Sequence, residues 1–401
     1  MARLSRAELQ RLNRSKVVEA ARHEFAERGF AGATIDGIAE RAGLTRGAVY
    51  SNFPGKRALY FTVLAEPASH PCGEPAGRAG TTREALGAFA RAWVTRLPLA
   101  TGGPHDPDDC GEAARLAVDL MPEILADERL RAVTAALRRL DALLLGLALE
   151  RMDLLERGGS PERERAGGRR VRVAEAALVT LRGASELAAA APGFVEPFDL
   201  VSVCEELAGL DLDDRWDPPP VFPRVLPADA PWPPGFFAQG DGFPAGDGFP
   251  AGDGFPAGDG VVAVLGLLEA GAVEEAVRAA PPGTPVTAVL VTDDPAELTP
   301  LARLAPAGVI GCLRQAFPQR AWPGLRIICD ETGAAPAGVP AVTDRTVTDR
   351  TVTDRTVTDR TVTDRTVTAL RVRDGRIVAR ADGPGACHAI ASSLRPAPFV
   401  R

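Results

Sequence analysis

Lysine is almost missing from this chain of 401 residues: only Lys16 and Lys56 carry it, so the positive charge is arginine. Together with abundant alanine, that fits a GC-rich coding sequence better than any functional demand. Histidine is equally sparse, and His23, His70, His105 and His388 have no metal-ligand spacing. Six cysteines, Cys72, Cys110, Cys204, Cys312, Cys329 and Cys387, include no C-x-x-C pair. No zinc site or disulfide framework is expected, and the thiols read as reduced and structural. The longest strongly apolar run, Leu140 to Leu149, stops well short of the roughly 20 residues that span a bilayer. The charged N-terminus MARLSRAELQRLNRSK has no apolar stretch before a cleavage site. No membrane segment or secretory signal is therefore expected, and a cytoplasmic location follows. There is no glycine-rich phosphate loop, no cofactor is expected, and nothing here marks an enzyme.

Glycine and proline are plentiful, at 41 and 35 residues, more than packed elements need. Single cores seldom grow past roughly 250 to 300 residues, so two or three domains joined by linkers are expected. Charge is unevenly spread. Residues 1–65 hold eleven basic side chains against six acidic ones, in a chain whose net charge is -7. A basic head on an acidic body is the asymmetry expected when one end meets a polyanion.

After a flexible arm over residues 1–12, the head (13–64) reads as short helices with legible stops. Val17, Ala21 and Phe25 recur at helical spacing, and Gly29 followed by Phe30 supplies a left-handed cap with an apolar follower. Thr34 can cap the next helix, with Asp36 in its first turn, and Gly43 ends it. Thr45 caps a short third helix, TRGAVYSNF; Leu44 before it can meet Val49 as a hydrophobic staple, and Pro54-Gly55 closes it. A fourth helix begins at Lys56.

Residues 65–80 form a linker by composition, and 81–212 read as about five amphipathic helices. On these, Phe89, Trp93, Met121 and Met152 either line a pocket or pack the core, and the helices Ala174 to Leu187 and Val201 to Leu207 offer a dimer surface. Residues 213–260 read as a Pro/Gly-rich tether with three GDGFPA repeats, whose phenylalanines alternatively serve docking. From Val261 to Arg401 strands and helices mix in an α/β domain. Asp374-Gly375 between two alternating runs is a strong hairpin signal. Inside it, VTDRT repeats five times from Val342 to Thr366. An odd period turns successive valines to opposite faces of a strand, so this insertion is expected to be a solvated excursion.

The segment RSKVVEAARHEFAERGFAGATIDGIAERAGLTRGAVYSNFPGKRALYFTVL resembles the N-terminal domain of TetR/AcrR-type transcriptional regulators, through Phe25, Gly29-Phe30, Thr34, Ile38-Ala39, Ala42-Gly43, Tyr50, Phe53, Lys56 and Leu59. The second helix of such a pair lies in a major groove about 12 Å wide, which asks for small and polar residues at its start. Thr45, Arg46, Gly47 and Ala48 meet that requirement. The resemblance implies that Arg46, Gly47, Ala48, Tyr50, Ser51 and Asn52 face DNA, with Arg46 on a guanine edge. It also implies that Thr34, Tyr50 and Lys56 hold phosphates, which fix register without reading sequence. Tyr50 is expected to pack its ring and offer its hydroxyl, and Phe53 to be core. Gly55 departs from the family, which often has a serine or another cap there. The implied whole is an all-α, TetR-like N-terminal two-thirds: a homodimer on a near-palindromic double-stranded operator, with a helical domain that takes a small-molecule effector, most simply as a repressor released by it.

The C-terminal region resembles a thioredoxin-like fold, in its order of strands and helices, Gly338-Val339-Pro340, the Asp374-Gly375 hairpin and the last helix ACHAIASSL. It lacks the cysteine that a thiol oxidoreductase needs where its first strand meets its helix. Cys387 and His388 are neighbours that cannot face each other on a helix. The rival function is a redox-responsive protein whose thioredoxin-like domain is fused to a DNA-binding head; the plainer alternative makes that domain an interaction module.

Overall fold

A computed structural model describes residues 5–68, 79–97, 119–159, 168–232, 259–330 and 363–394, with short pieces between 343 and 356. In chain order the elements are α1 (Arg6–Gly32), α2 (Ile35–Ala42), α3 (Arg46–Tyr50), α4 (Lys56–Ala68), α5 (Thr82–Val94), α6 (Met121–Ala126), α7 (Glu128–Glu156), α8 (Val171–Ala190) and α9 (Pro197–Leu207). Then come β1 (Leu226–Pro231), β2 (Asp259–Gly266), α10 (Val273–Ala279), β3 (Val286–Val291), α11 (Pro295–Ala316), β4 (Leu325–Cys329), β5 (Val367–Arg373), β6 (Arg376–Asp382) and α12 (Ala386–Ser392). They form two compact units. The first holds residues 1–157, 170–213 and 296–321, and the second 158–169, 214–295 and 322–401.

The first unit is helical. Its head core joins Val17, Ala21 and Phe25 of α1 to Ile38 and Ala39 of α2, Val49 of α3, Phe53, and Leu59 to Phe61 of α4, all buried. Tyr60 meets Phe25 and Phe30 there edge to face, at 4.7 and 4.9 Å between centroids. Helix α1 starts at Arg6, inside the expected arm, because Ser5 and Glu8 close a capping box, with the Glu8 carboxylate accepting from Ser5 N. At Gly29 the backbone leaves the helix at φ 63°. Gly43 takes the left-handed conformation that ends α2.

Beyond the head, α7 and α8 pack an apolar row: Leu137, Leu140, Leu144 and Met152 from one, Ala174, Leu178 and Leu181 from the other. Phe89 and Met152 are core, while Trp93 is half-buried and polar at its edge: its indole N–H donates to Ser185 Oγ at 3.0 Å. Helix α11, which lies in sequence between two strands of the other unit, belongs to this helical unit from residue 296 onward. Leu298, Leu301, Ala305, Val309, Cys312 and Leu313 are buried along it.

The second unit is built on a six-stranded mixed sheet in the order β1-β6-β5-β2-β3-β4. Strands β2, β3 and β4 run parallel, β5 is antiparallel to β2, and β6 and β1 continue antiparallel. Val262, Val264, Val289, Val291, Ile328, Leu370, Val372 and Ile377 make one cluster. Asp374 and Gly375 turn the β5–β6 hairpin with positive φ at both positions, as a two-residue turn of matching twist requires. Two stretches differ from the sequence expectation. The proline-rich segment contains β1, an edge strand paired only with β6, where Pro227 and Pro231 interrupt no inner ladder. The fifth VTDRT copy is not a solvated excursion: Asp364 is buried and accepts from Thr292 Oγ1 at 2.7 Å, and the Gly266 and Leu268 N–H groups donate to the carbonyls of Thr366 and Asp364. A docked backbone satisfies the end of β2. The described pieces of earlier copies pair only with one another, 343–344 with 355–356 and 347–348 with 351–352. The rest of that tract, the GDGFPA repeats up to Gly258 and Gly338-Val339-Pro340 lie outside the described residues.

Candidate nucleic-acid interface

Helix α3 is five residues long and is defined at its start by Thr45, whose hydroxyl accepts from Ala48 N at 3.2 Å. Thr34 does the same for α2, accepting from Gly37 N at 3.1 Å. Both threonines are exposed at helix starts, where free N–H groups and the helix dipole favour a phosphate. Arg46 and Gly47 follow Thr45 on the exposed side of α3, and Ala48 is half-buried. Val49 alone of this helix is fully buried and anchors it to the head core.

Arg46 is not idle. Its Nη1 reaches Asp36 Oδ2 at 3.3 Å, and its guanidinium lies 5.6 Å from the Tyr50 ring centroid. The Tyr50 side chain, then Asp36, hold its titration above the ordinary arginine value. Both partners are exposed, so the ion pair is weak and open to exchange. Tyr50 itself is 44% exposed, with its ring stacked beneath Arg46 rather than packed into the core. The reason is local. Val49 takes the single inward position of so short a helix, and the next residue is turned outward.

Ser51 and Asn52 finish α3 by donating to the Ala48 carbonyl, each at 2.8 Å. Lys56 is placed apart from this surface: its Nζ donates to the carbonyls of Phe30 and Ala33, at 2.7 and 3.1 Å, and sits 4.4 Å from the Phe30 ring centroid. It closes the C-terminal end of α1, where carbonyls lack helical partners. The structure thus groups Thr45, Arg46, Gly47, Ala48, Tyr50, Ser51 and Asn52 on or beside α3, puts Thr34 at the start of α2, and turns Lys56 toward α1.

Three positions hold this arrangement without having drawn notice in the sequence. Arg14 donates to the Asn52 carbonyl at 3.1 Å and lies over the buried Phe53 ring at 4.3 Å, tying α1 to the turn after α3. Glu24, only 2% exposed, faces Arg28 and Arg41 at 3.4 and 3.5 Å between α1 and α2. Gly37 permits that approach, since a Cβ there would lie 2.6 Å from Glu24 Oε1. A buried carboxylate opposite a glycine is visible only once the two helices are packed.

Residues 17–63 match the sequence model of bacterial regulatory proteins of the tetR family. Among curated proteins, the HTH-type transcriptional regulator SrpR of Pseudomonas putida is 44% identical over 71 residues, 18% of this chain and 32% of the relative. The uncharacterized HTH-type transcriptional regulator TtgW, also of Pseudomonas putida, is 44% identical over 71 residues, 18% of this chain and 52% of the relative. The HTH-type transcriptional repressor Rv1474c of Mycobacterium tuberculosis is 32% identical over 99 residues, 24% of this chain and 53% of the relative. The chain therefore spans between a third and about half the length of these relatives. A solved transcriptional regulator of Rhodococcus sp. Rha1 aligns with 49% of the chain and 94% of its own, at 23% identity and a TM-score of 0.32. The capped α2–α3 pair and the family match fall on the same residues, so the head of this chain is similar to the TetR-family helix-turn-helix domain.

Proposed function

We propose that the whole chain is a TetR-type transcriptional regulator: a homodimer that holds a near-palindromic operator and leaves it when the helical unit takes a small-molecule effector. The observation that carries this reading is the α3 surface, where a cap, an exchangeable arginine and two small residues stand on a helix anchored by one valine. In this reading Arg46 exchanges Asp36 for a guanine edge. Thr34 and Tyr50 take phosphates, with Lys56 contributing through the one N–H that the α1 carbonyls leave over.

Two further features support it. Large apolar side chains stand exposed on and between α8 and α9: Val179, Leu187, Phe194, Phe198 and Val203. Val179, Leu187 and Val203 fall within the stretches expected to pair two copies, and Phe194 and Phe198 lie between those stretches. Next to Lys56 on α4, Arg57 reaches Asp127 Oδ2 at 3.1 Å at the cap of α7, and also pairs with Glu297 of α11. A movement of the bundle helices is thereby handed to the head. For an effector to swing the operator-bound fraction from 99:1 to 1:99 it must prefer the released state by about 5.5 kcal/mol.

For the second unit, the order β3-β2-β5-β6 with a parallel first pair, an antiparallel hairpin and a closing helix supports a thioredoxin-like reading, extended by β4 and β1. Its chemistry points away from redox control. Burial raises the Cys387 thiol, and in the helical unit pushes Cys204 and Cys312 to about 12 and about 11, the opposite of an activated thiolate. An interaction module is the reading we favour.

The test is selection of duplexes from a random pool by the purified full chain. The expected product is a near-palindrome with half-sites roughly one helical turn or a multiple of it apart. A pool that shows no enriched sequence after repeated rounds would overturn the regulator reading.

A further inference from the structure

Among the buried polar residues of the helical unit, Asp141 lies deepest in its apolar core. Asp141, in the middle of α7, is fully buried. Its Oδ2 accepts from Arg138 Nη1 at 3.0 Å and from Arg182 Nη2, on α8, at 2.6 Å, while its Oδ1 has no partner. The Arg182 guanidinium lies 5.2 Å from the centroid of the Trp93 ring, and its Nε is buried and unpartnered. Arg96, just beyond α5, also buries an Nε without a partner, while its Nη1 donates to the Gly308 carbonyl of α11 at 3.0 Å. Thr134 Oγ1, one turn before Arg138, is a fourth orphan. Both Arg96 and Arg182 act electrostatically on the Cys312 thiol, so the two guanidiniums converge on the same stretch of α11. Glycine lets Arg96 approach, since a Cβ at Gly311 would lie 2.7 Å from Arg96 Nη2.

A structural ion pair is matched one to one and uses its hydrogen-bonding atoms. Here two guanidiniums, Arg138 and Arg182, share the one carboxylate of Asp141, Arg96 spends its Nη1 on the Gly308 carbonyl, and the buried Nε donors of Arg96 and Arg182 point at no acceptor. Buried polar atoms in folded proteins are overwhelmingly paired, so a cluster of orphans of which the cations form the excess asks for an anion. We infer that the helical unit binds a small organic anion between α5, α7, α8 and α11, its carboxylate or phosphate taken by the free Nε–H groups of Arg182 and Arg96 and its body lying against Trp93. This deepens the proposed function and rests on it: the anion is the effector class. Helix α11 forms one wall of the site and also carries Glu297, the partner of Arg57 on α4. A ligand that shifts α11 would act directly on the helix leading into the recognition head.

The experiment is isothermal titration of the full chain with benzoate, phenyl phosphate and the neutral benzamide, beside a duplex-binding assay on the same preparation. Saturable binding of one of the two anions, at least tenfold tighter than benzamide and weakened at least tenfold by Arg96→Gln, is the expected result. The tighter of the two identifies the acidic group. Arg96→Gln is chosen because Arg182 sits in the buried pair and its replacement endangers folding; circular dichroism of the variant confirms the fold. Equal affinity for benzoate, phenyl phosphate and benzamide, no binding of either anion, or an unchanged affinity in Arg96→Gln overturns the inference. Selective duplex binding without anion binding removes the site and leaves the regulator; anion binding without duplex binding does the reverse.

Discussion

Replacing Gly37 by alanine should destabilise the head, and should stop doing so when Glu24 is removed. Gly37 is the third residue of α2, where alanine improves helix propensity by at most about 1 kcal/mol. Against that, the new Cβ would stand 2.6 Å from Glu24 Oε1 and 3.1 Å from its Cδ, inside any tolerated contact. The carboxylate cannot swing away freely, because it is buried between Arg28 and Arg41. Forcing one methyl into a packed site costs about 1 to 3 kcal/mol, so the net effect is a loss of about 1 to 2. In a Glu24→Ala background the clash vanishes; the remaining neighbour, Thr34 Oγ1 at 3.2 Å, is tight but tolerable. Gly37→Ala should then be neutral or slightly stabilising, and the double-mutant cycle should close with a coupling of about 2 kcal/mol. The assay is hydrogen exchange at the buried Ile38 and Ala39 amides, which reports the local opening of α2 without requiring both units to unfold together. Equal loss of protection in both backgrounds would refute the steric reasoning.

Other perturbations follow from the same geometry. Gly43→Ala forces a side chain into φ 64° at the end of α2 and should cost about 1 kcal/mol by the same exchange measurement; no change would mean that the cap relaxes freely. Phe198→Glu places a charge on the most exposed large apolar residue among the described residues of the first unit and should shift sedimentation from dimer toward monomer; unchanged association would move the interface elsewhere. Lys56→Ala should lower head stability by about 1 kcal/mol through the lost α1 carbonyl contacts, and should flatten the salt dependence of duplex binding by about one phosphate. An unchanged salt slope would leave Lys56 a purely structural role. Burial raises the Asp141 carboxyl above its ordinary 3.8 despite two adjacent guanidiniums, so the folded chain keeps a proton that the unfolded chain releases. That contribution is complete below pH 3.8 and fades as pH rises through the folded value. In urea unfolding, the gap between the parent and Asp141→Asn should therefore move toward the variant as pH rises from 4, and a gap independent of pH would count against a raised carboxyl.

Local signals in the sequence were the ones that survived folding. Gly43, Thr34, Thr45 and the Asp374-Gly375 pair each demand one backbone conformation, and each adopts it. Features that depend on what lies across a packed interface were hidden. Nothing in LTPLARLAPAGVIGCLRQA says that α11 belongs to the helical unit, because an amphipathic helix after a strand reads equally well as cover for its own sheet. Prolines masked β1, which is permitted only as an edge. The α3 residues were legible as a surface because a short helix with one buried valine leaves the rest outside; that Lys56 reaches back to α1, and that Tyr50 lies under Arg46, required the fold. The Asp141 cluster sits within the most apolar run of the chain, where one acidic residue reads as an interruption rather than as a site.

Fluorescence anisotropy with the full chain, on the duplex enriched by selection and on its shuffled counterpart at the same moderate salt, tests the recognition surface most directly. The account predicts a preference of roughly a thousandfold or more for the enriched duplex, with Arg46→Ala losing about 1 to 3 kcal/mol of it. Equal affinity for the two duplexes, or an Arg46→Ala protein that discriminates as well as the parent, would contradict a sequence-reading role for α3.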